Sequence, residues 1–284
     1  MSSLQGLLGV FDVEQVDTHR YRGLHDGGDR AVIDGSQVLA QSIVAATKSC
    51  STKVVRSAHS VFVSAVDAAA PIDLDVEVVR DGRTVASARV VGRQGDRVKV
   101  DTSVLLDTAQ PDVVRRCAAV PPTDPPEDAV ALHMPVDGRE IRLVGVVDPN
   151  DPDHVGPPLL DAWLRYDAPP PPPRDDLTRA LLAHFTGHLS ISTTLFPHAG
   201  LGTAQSHHSI STGPLTITVA FHEPVSAEGW LLYRHESTQV GAGMSYVRGQ
   251  VFRQTGELVA SFTQEALIRA LDAAAQEIRT EARL

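Results

Sequence analysis

The residues best suited to chemistry lie in one short stretch, HFTGH, which runs from His184 to His188. Two imidazoles four residues apart on a helix can share a metal ion, and a glutamate after the first histidine would complete the zinc-hydrolase motif HExxH. Phe185 stands where that glutamate belongs, so the motif is broken and we expect neither a metal nor another cofactor. An unperturbed imidazole titrates at about pH 6.5, which leaves His188 as a candidate for proton transfer.

Other catalytic motifs are missing from the sequence. It contains no G-x-S-x-G elbow, which disfavours a serine α/β-hydrolase. Gly241 to Gly243 precedes an apparent strand and not a helix, so it is not a phosphate-binding loop. His207-His208 stands in the polar segment TAQSHHSIS and is expected to be solvated. Cys50 and Cys117 have no CxxC spacing and are expected to be free thiols.

Composition limits the class of protein. The 284 residues suffice for one large domain or two ordinary ones, and 42% hydrophobic residues are typical of a globular chain. A formal net charge of −10 argues against nucleic acid or an anionic membrane as a partner. The N-terminal segment lacks the features of a secretion signal. Because no apolar run reaches the roughly 20 residues of a membrane span, we expect a cytoplasmic protein.

The elements that must position these residues follow from hydrophobic spacing. Apolar residues at helical intervals predict a short helix at Leu4 to Phe11 and a second helix at Ser36 to Thr47, entered through Asp34-Gly35. Strand patterns follow at His59–Val66, Leu74–Val79, Thr84–Val91 and Arg97–Leu106. Tight turns at Asp81-Gly82 and Gly95-Asp96 separate the last three strands. The first part of the chain therefore reads as a helix followed by an antiparallel meander.

A proline-rich stretch divides the chain. Residues 118–174 open with VPPTDPPEDA and close with five prolines, Pro169 to Pro173, which favour a stiff polyproline II spacer. Between these ends, EIRLVGVVDP and DAWLRYDAP are readable as strands. We therefore expect three parts: an N-terminal unit at 1–117, a structured linker at 118–174 and a C-terminal unit at 175–284.

The C-terminal unit repeats the pattern of the first. LTRALLAHFTGHLSISTTLF, which begins at Leu177, predicts a helix of four to five turns. The strands that follow are predicted at Leu215–His222, Trp230–His235, Met244–Arg253 and Leu258–Arg269. Arg93-Gln94 and Arg253-Gln254 occupy equivalent places before a glycine-containing turn. Helix and meander thus occur twice, which indicates an α+β protein built from a duplicated unit.

Several segments, in the same order, resemble the acyl-CoA thioesterase II (TesB-like) family. They are DGSQVLAQ at Asp34–Gln41, RSAHSVFV at Arg56–Val63, PIDLDVEVVRDGRT at Pro71–Thr84, WLLY with EST at Trp230–Thr238 and GELVASFTQEALIR at Gly256–Arg269. The resemblance implies a double hotdog, in which two long helices are each wrapped by an antiparallel sheet. It also implies hydrolysis of fatty acyl-CoA to fatty acid and coenzyme A, and assembly into a homo-oligomer. The alternatives are an acyl-CoA-binding protein with little turnover and an enoyl-CoA hydratase of the same fold.

The resemblance also implies a catalytic set of aspartate, threonine and glutamine that orients a water molecule. Gln264 matches the glutamine. Equal spacing puts Gly187 at the aspartate's place, and a shift of one residue puts His188 there. Pro214 stands at the threonine's place, and Thr216 lies two residues further on.

A substitute set can be assembled from the residues that are present. His188 would be the general base, Thr186 or Thr216 would hydrogen-bond the water, and Gln264 would hold the water or the carbonyl oxygen. A backbone N–H at a helix start would receive the oxyanion. Arginines of the second unit are candidates for the nucleotide phosphates of coenzyme A: Arg234, Arg248, Arg253 and Arg269.

Overall fold

The computed structural model describes residues 2–25, 31–134, 136–145, 148–168, 170 and 174–271. Its elements, in chain order, are β1 (Ser2–Ser3), α1 (Leu4–Phe11), β2 (Glu14–Asp17), β3 (Arg20–Gly23), α2 (Gly35–Ser49), β4 (Val54–Phe62), β5 (Ile72–Asp81), β6 (Val85–Gln94), β7 (Arg97–Asp107), β8 (Val130–Ala131), β9 (Val136–Asp137), β10 (Arg139–Leu143), β11 (Leu159–Tyr166), α3 (Asp175–Thr186), α4 (Ser190–Leu195), β12 (Ile210–Phe221), β13 (Leu231–Gly241), β14 (Met244–Arg253) and β15 (Leu258–Ala270). The polyproline II spacer predicted at Pro169 to Pro173 falls, apart from Pro170, outside the described residues.

Glycine-containing turns end the strands where the sequence predicts. β5 stops at Asp81 before Gly82, and β6 stops at Gln94 before Gly95, whose φ is 58°. The equivalent strand of the second half, β14, ends at Arg253, shortly before a glycine with a φ of 100°. Glycine adopts positive φ at little cost, which lets each meander reverse direction within a few residues. The predicted hairpin turns are confirmed.

Within the described residues, thirteen strands form one sheet in the order β2-β3-β5-β6-β7-β4-β12-β15-β14-β13-β11-β10-β8, and each neighbouring pair is antiparallel. The first half contributes the order β4-β7-β6-β5, and the second half contributes the matching order β12-β15-β14-β13. The halves join where β4 pairs with β12, with Ser60 opposite Ile217. The segment between the halves adds β11, β10 and β8 beyond β13.

The core lies between this sheet and two helices. α2 packs against α3 and against strands of both halves, and residues 36–46 of α2 are all buried. Along the strands of the sheet, alternate residues point inward, as at Leu74 and Val76 on β5, while their neighbours face out. Burying a large aliphatic or aromatic side chain stabilises a fold by about 1.5–3 kcal/mol, so this continuous interface holds the two halves together.

The predicted helix that begins near Leu177 is shorter in the structure. α3 ends at Thr186, and α4 starts at Ser190 after Leu189 adopts a φ of 64°. A left-handed residue cannot continue a right-handed helix, which is why the predicted four to five turns divide into two helices. The prediction of one long helix was wrong, and the break falls inside the stretch that carries the candidate catalytic residues.

An ion pair fixes the end of α1 to the start of α3. The terminal guanidinium nitrogens of Arg174, Nη1 and Nη2, each lie 2.8 Å from a carboxylate oxygen of Asp12. Nζ of Lys48, on α2, lies 2.7 Å from Oδ1 of the same carboxylate. The hydrogen bonds from Arg174 lower the pKa of Asp12 from 3.8 to about 2. Of the described helices, none is long and apolar enough to cross a membrane.

Candidate active site

Gln264 of β15 projects into the protein. Its strand neighbours Phe262 and Ala266 are buried with it, whereas Glu265 is exposed, as strand alternation requires. The side chain is 1% exposed, and neither its amide oxygen nor its amide nitrogen finds a hydrogen-bond partner among the described residues. An unsatisfied buried amide costs on the order of 1–3 kcal/mol. The Gln264 amide is therefore a buried donor and acceptor that forms no hydrogen bond with the described residues of the fold.

The sheet register shows what surrounds this amide. Gln264 pairs with Ile217 on one side and with Val247 on the other, and Ile217 in turn pairs with Ser60 across the junction of the two halves. Directly opposed Cβ atoms in such pairs are about 4.5–5.5 Å apart. Gln264 therefore lies two strands from β4, close to the junction.

The N-terminus of α2 lies over this junction. Asp34 caps the helix, because its Oδ1 accepts hydrogen bonds from the Ser36 backbone N–H at 2.8 Å and from the Ser36 hydroxyl at 2.7 Å. The Ser36 side chain is completely buried, and Asp34 is half-buried. A helix start carries a partial positive charge and unpaired N–H groups, which favour a developing oxyanion nearby.

Gly187, which stands at the position of the expected aspartate, lies between the Gln264 amide and the N-terminus of α2. A Cβ atom at position 187 would lie 2.5 Å from the Cβ of Ser36, 2.8 Å from its Oγ and 3.2 Å from Cδ1 of Ile217. The end of α3 therefore meets the start of α2 directly above the Ile217 side chain, next to Gln264. Only glycine fits here while Ser36 is in place.

Two of the predicted residues lie near this point. His188 follows Gly187, stacks on the ring of Phe185 at 5.2 Å between centroids, and has Nδ1 3.0 Å from the backbone carbonyl oxygen of His184. Thr186 precedes Gly187 and is fully buried, and its hydroxyl donates to the carbonyl of Ala183 at 2.7 Å. That bond satisfies the Thr186 hydroxyl within its own helix.

The fourth predicted residue, Thr216, lies on the other face of the sheet. It pairs with Glu265, and its hydroxyl donates to the Glu265 carboxylate at 2.8 Å in an exposed position. Because Thr216 adjoins the inward-facing Ile217, strand alternation directs it away from Gln264. The structure does not bring Thr216 together with the other predicted residues.

His184 belongs to a buried cluster beside the site whose other members, Arg139 and His235, no sequence pattern indicated. His184 is almost fully buried, and desolvation, with the nearby His188 and Arg139, lowers its pKa well below the usual value. His235 of β13 is fully buried, and burial lowers its pKa to about 4. Burial also lowers the pKa of Arg139, whose guanidinium lies 5.7 Å from the centroid of the Phe185 ring. Both buried imidazoles are therefore neutral at pH 7. No motif marks Arg139 or His235, since each lies in an ordinary strand pattern.

The candidate phosphate-binding arginines are spread over the outer surface and strand ends. Arg248 pairs with Glu236 at 2.7 Å, Arg253 donates to the carbonyl of Pro224 at 2.7 Å, and Arg234 lies 3.6 Å from Asp161. Arg269 lies beside Gly243 at the end of the β14–β15 pair. The four do not form one cluster.

The fold has clear counterparts among solved structures. A protein of unknown function with a hotdog fold from Alicyclobacillus acidocaldarius is 18% identical, and the match has a TM-score of 0.74 over 93% of this chain and 98% of that one. An acyl-CoA thioesterase II from Mycobacterium marinum is 26% identical, with a TM-score of 0.78 over 94% of this chain and 98% of that one. The antiparallel sheet of the present protein, packed around its helices, is thus a hotdog fold.

Sequence comparison identifies the family. Residues 27–106 match the family model for the acyl-CoA thioesterase N-terminal domain, and residues 115–268 match that for the C-terminal domain. Acyl-coenzyme A thioesterase 8 of Mus musculus is 26% identical over 286 residues, which cover 92% of this chain and 88% of the mouse protein. The chain belongs to the acyl-CoA thioesterase family, which confirms the resemblance seen in its motifs.

Proposed function

We propose that this protein hydrolyses fatty acyl-CoA to a free fatty acid and coenzyme A, and that Gln264 holds the reacting groups in place. Family membership supports a thioester hydrolase. The observation that carries the site is the amide of Gln264, which is buried and unpartnered within the described structure. The relatives bear thioesterase names, which favours turnover over acyl-CoA binding alone.

The geometry supports attack by water. The Gln264 side chain offers an acceptor and two donors, so it can hold the attacking water through its oxygen or the thioester carbonyl through its nitrogen. The start of α2 would receive the negative charge that develops on the carbonyl oxygen. Loss of one such preorganised donor typically lowers the rate about 100-fold or more, and we expect an effect of this size when the amide of Gln264 is removed.

His188, the base that the sequence predicts, stays a candidate for the proton acceptor. It adjoins Gly187, and its Nδ1 lies within hydrogen-bond distance of a backbone carbonyl, which assigns the proton of the neutral ring to Nδ1. Thr186 and Ser190 are the hydroxyl-bearing residues nearest to it along the chain, each two residues away. Thr216 has no place in this arrangement, because it faces Glu265 on the outer side of the sheet.

The same proposal extends to the architecture. The strand order that both halves share, and the two family models matched at residues 27–106 and 115–268, support a double hotdog. In this arrangement residues 1–117 form the N-terminal hotdog, 175–284 form the C-terminal one, and 118–174 link them. The cytoplasmic location and the homo-oligomer remain predictions from the sequence.

The function is tested by incubating the protein with straight-chain acyl-CoAs of graded length and measuring the free thiol of coenzyme A. We expect turnover that depends on acyl length, because a buried site accommodates some chains better than others. Tight binding of acyl-CoA without thiol release at any length would contradict the hydrolase assignment.

A further inference from the structure

We propose that Asp34 and Ser36, at the start of α2, accept the proton from the attacking water. Ser36 touches the water, and Asp34 acts through Ser36. The inference rests on the proposed hydrolase function and assigns the base that this function requires. Neither residue is among the catalytic residues predicted from the sequence, although both lie in the segment DGSQVLAQ.

The first support is the hydrogen bond between the two side chains. A serine hydroxyl has one proton to donate and two lone pairs to accept with. The hydroxyl of Ser36 is 2.7 Å from Oδ1 of Asp34, which as a carboxylate can only accept, so the proton points at Asp34. The lone pairs of Ser36 Oγ are then left to accept a proton from a water molecule.

The second support is where the Ser36 side chain lies. Its Cβ and Oγ are 2.5 and 2.8 Å from the point that a Cβ at position 187 would occupy. Equal spacing of the motifs places the expected catalytic carboxylate on that residue, Gly187. The hydroxyl of Ser36 therefore fills the space where a side chain at position 187 would begin, and Asp34 lies directly behind it.

The third support is the unpartnered amide that shares this space. Ile217 lies beneath Gly187 and is the direct cross-strand neighbour of Gln264. Gln264 is 1% exposed with both amide atoms unsatisfied among the described residues, so it needs a partner that the folded chain does not supply. A water held between Gln264 and Ser36 would satisfy groups on both sides.

The reaction balances without any further reagent. As the water oxygen bonds to the thioester carbonyl carbon, its proton passes to Ser36 Oγ and the proton of Ser36 passes to Asp34. When the tetrahedral intermediate collapses, the carbon–sulfur bond breaks and its electron pair leaves with sulfur. The sulfur then takes the proton back from Asp34 through Ser36, which gives a carboxylic acid and the thiol of coenzyme A.

The titratable groups on the elements that meet at the start of α2 are Arg139 of β10, His184 and His188 at the end of α3, and His25, whose Nδ1 lies 3.2 Å from Nε2 of Gln37. Arg139 is near enough to Asp34 for their charges to interact. His184 is held neutral by burial. The ring of His188 lies against Phe185, back along α3.

The decisive variant is Asp34→Asn, because asparagine caps a helix about as well as aspartate but cannot accept a proton in this way. We expect kcat for acyl-CoA hydrolysis to fall about 100-fold, as loss of a general base typically does, with little change in KM or Tm. Ser36→Ala should give a similar loss. Asp75→Asn, which removes a surface carboxylate paired with Arg20, is the matched control and should keep the wild-type rate.

A rescue experiment separates proton transfer from helix capping. Ser36→Gly removes the hydroxyl and opens the space beside position 187. Adding Gly187→Asp to that variant supplies a carboxylate at the same point, and we expect activity to rise at least about tenfold above Ser36→Gly alone. A capping role for Ser36 gives no reason for such a recovery.

Three results would overturn the inference. One is an Asp34→Asn protein that is folded and hydrolyses acyl-CoA at the wild-type rate. Another is loss of activity in His188→Ala while Asp34→Asn keeps its rate, which would make His188 the base. The third is a folded double variant no more active than Ser36→Gly. A wild-type protein that releases no thiol would instead refute the hydrolase function itself.

Discussion

Gly187 and Ser36 are in such close contact that no side chain at position 187 can be accommodated: a Cβ there would lie 2.5 Å from the Cβ of Ser36. The φ of Gly187 is −77°, an ordinary helical value, so its backbone does not require glycine. The requirement comes from the meeting of two helices. Through this contact the start of α2 and the end of α3 are held together above Ile217.

The first prediction follows from this contact. Gly187→Ala should lower the free energy of unfolding by about 1–3 kcal/mol, as overpacking of a tight interior does. Urea titration measures the effect. Gly213→Ala is the control, because a Cβ at position 213 meets nothing within 4 Å. Combining Gly187→Ala with Ser36→Gly should restore most of the loss, and equal instability of the single and double variants would mean that another clash is responsible.

The second prediction concerns the ion pair of Asp12 and Arg174. The folded pKa of Asp12, about 2, lies below its usual 3.8, so its stabilising contribution is present above pH 4 and is lost as the pH falls through about 2. Because the pair is about one-third exposed, we expect Asp12→Asn to cost on the order of 1 kcal/mol at pH 6. The difference from wild type in urea titrations should shrink as the pH falls from about 4 towards 2. A difference that stays constant over this range would exclude the carboxylate's charge as its origin.

The third prediction concerns the stability of Gln264 variants. Methionine has a similar length and flexibility but no amide, so Gln264→Met removes two unsatisfied buried groups. We expect the free energy of unfolding, measured by urea titration, to stay within about 1 kcal/mol of wild type or to rise, because the amide has no hydrogen bond to the described residues that the variant could lose. A larger decrease in stability would show that Gln264 makes structural hydrogen bonds, and the assignment of a functional amide would lose its physical basis.

The fold could be largely predicted because its signals are local. Alternation at Leu74 and Val76, and glycines at the ends of β5 and β6, define strands within windows of a few residues. The break of the helix after Thr186 could not be predicted in this way. It depends on Leu189 adopting a left-handed conformation, which leucine does not favour by itself and which the surrounding packing must stabilise.

The site was predicted only in part. The resemblance placed Gln264 on the last strand, and strand alternation explains its inward direction. The contact of Ser36 with Gly187 joins segments far apart in sequence, so the residues near either one cannot predict it. The sequence also could not show that Thr216 faces away from the site, because the face it occupies is set by its pairing with Glu265 on a distant strand.

We propose that the unpartnered amide of Gln264 acts in thioester hydrolysis. The most direct test is the rate of coenzyme A thiol release by Gln264→Met beside wild type, with Thr263→Val, which alters the outward-facing neighbour, as the matched control. We expect a rate about 100-fold or more below wild type for Gln264→Met in a protein that folds and still binds acyl-CoA, and an unchanged rate for Thr263→Val. A folded Gln264→Met protein that releases thiol as fast as wild type would contradict the proposal.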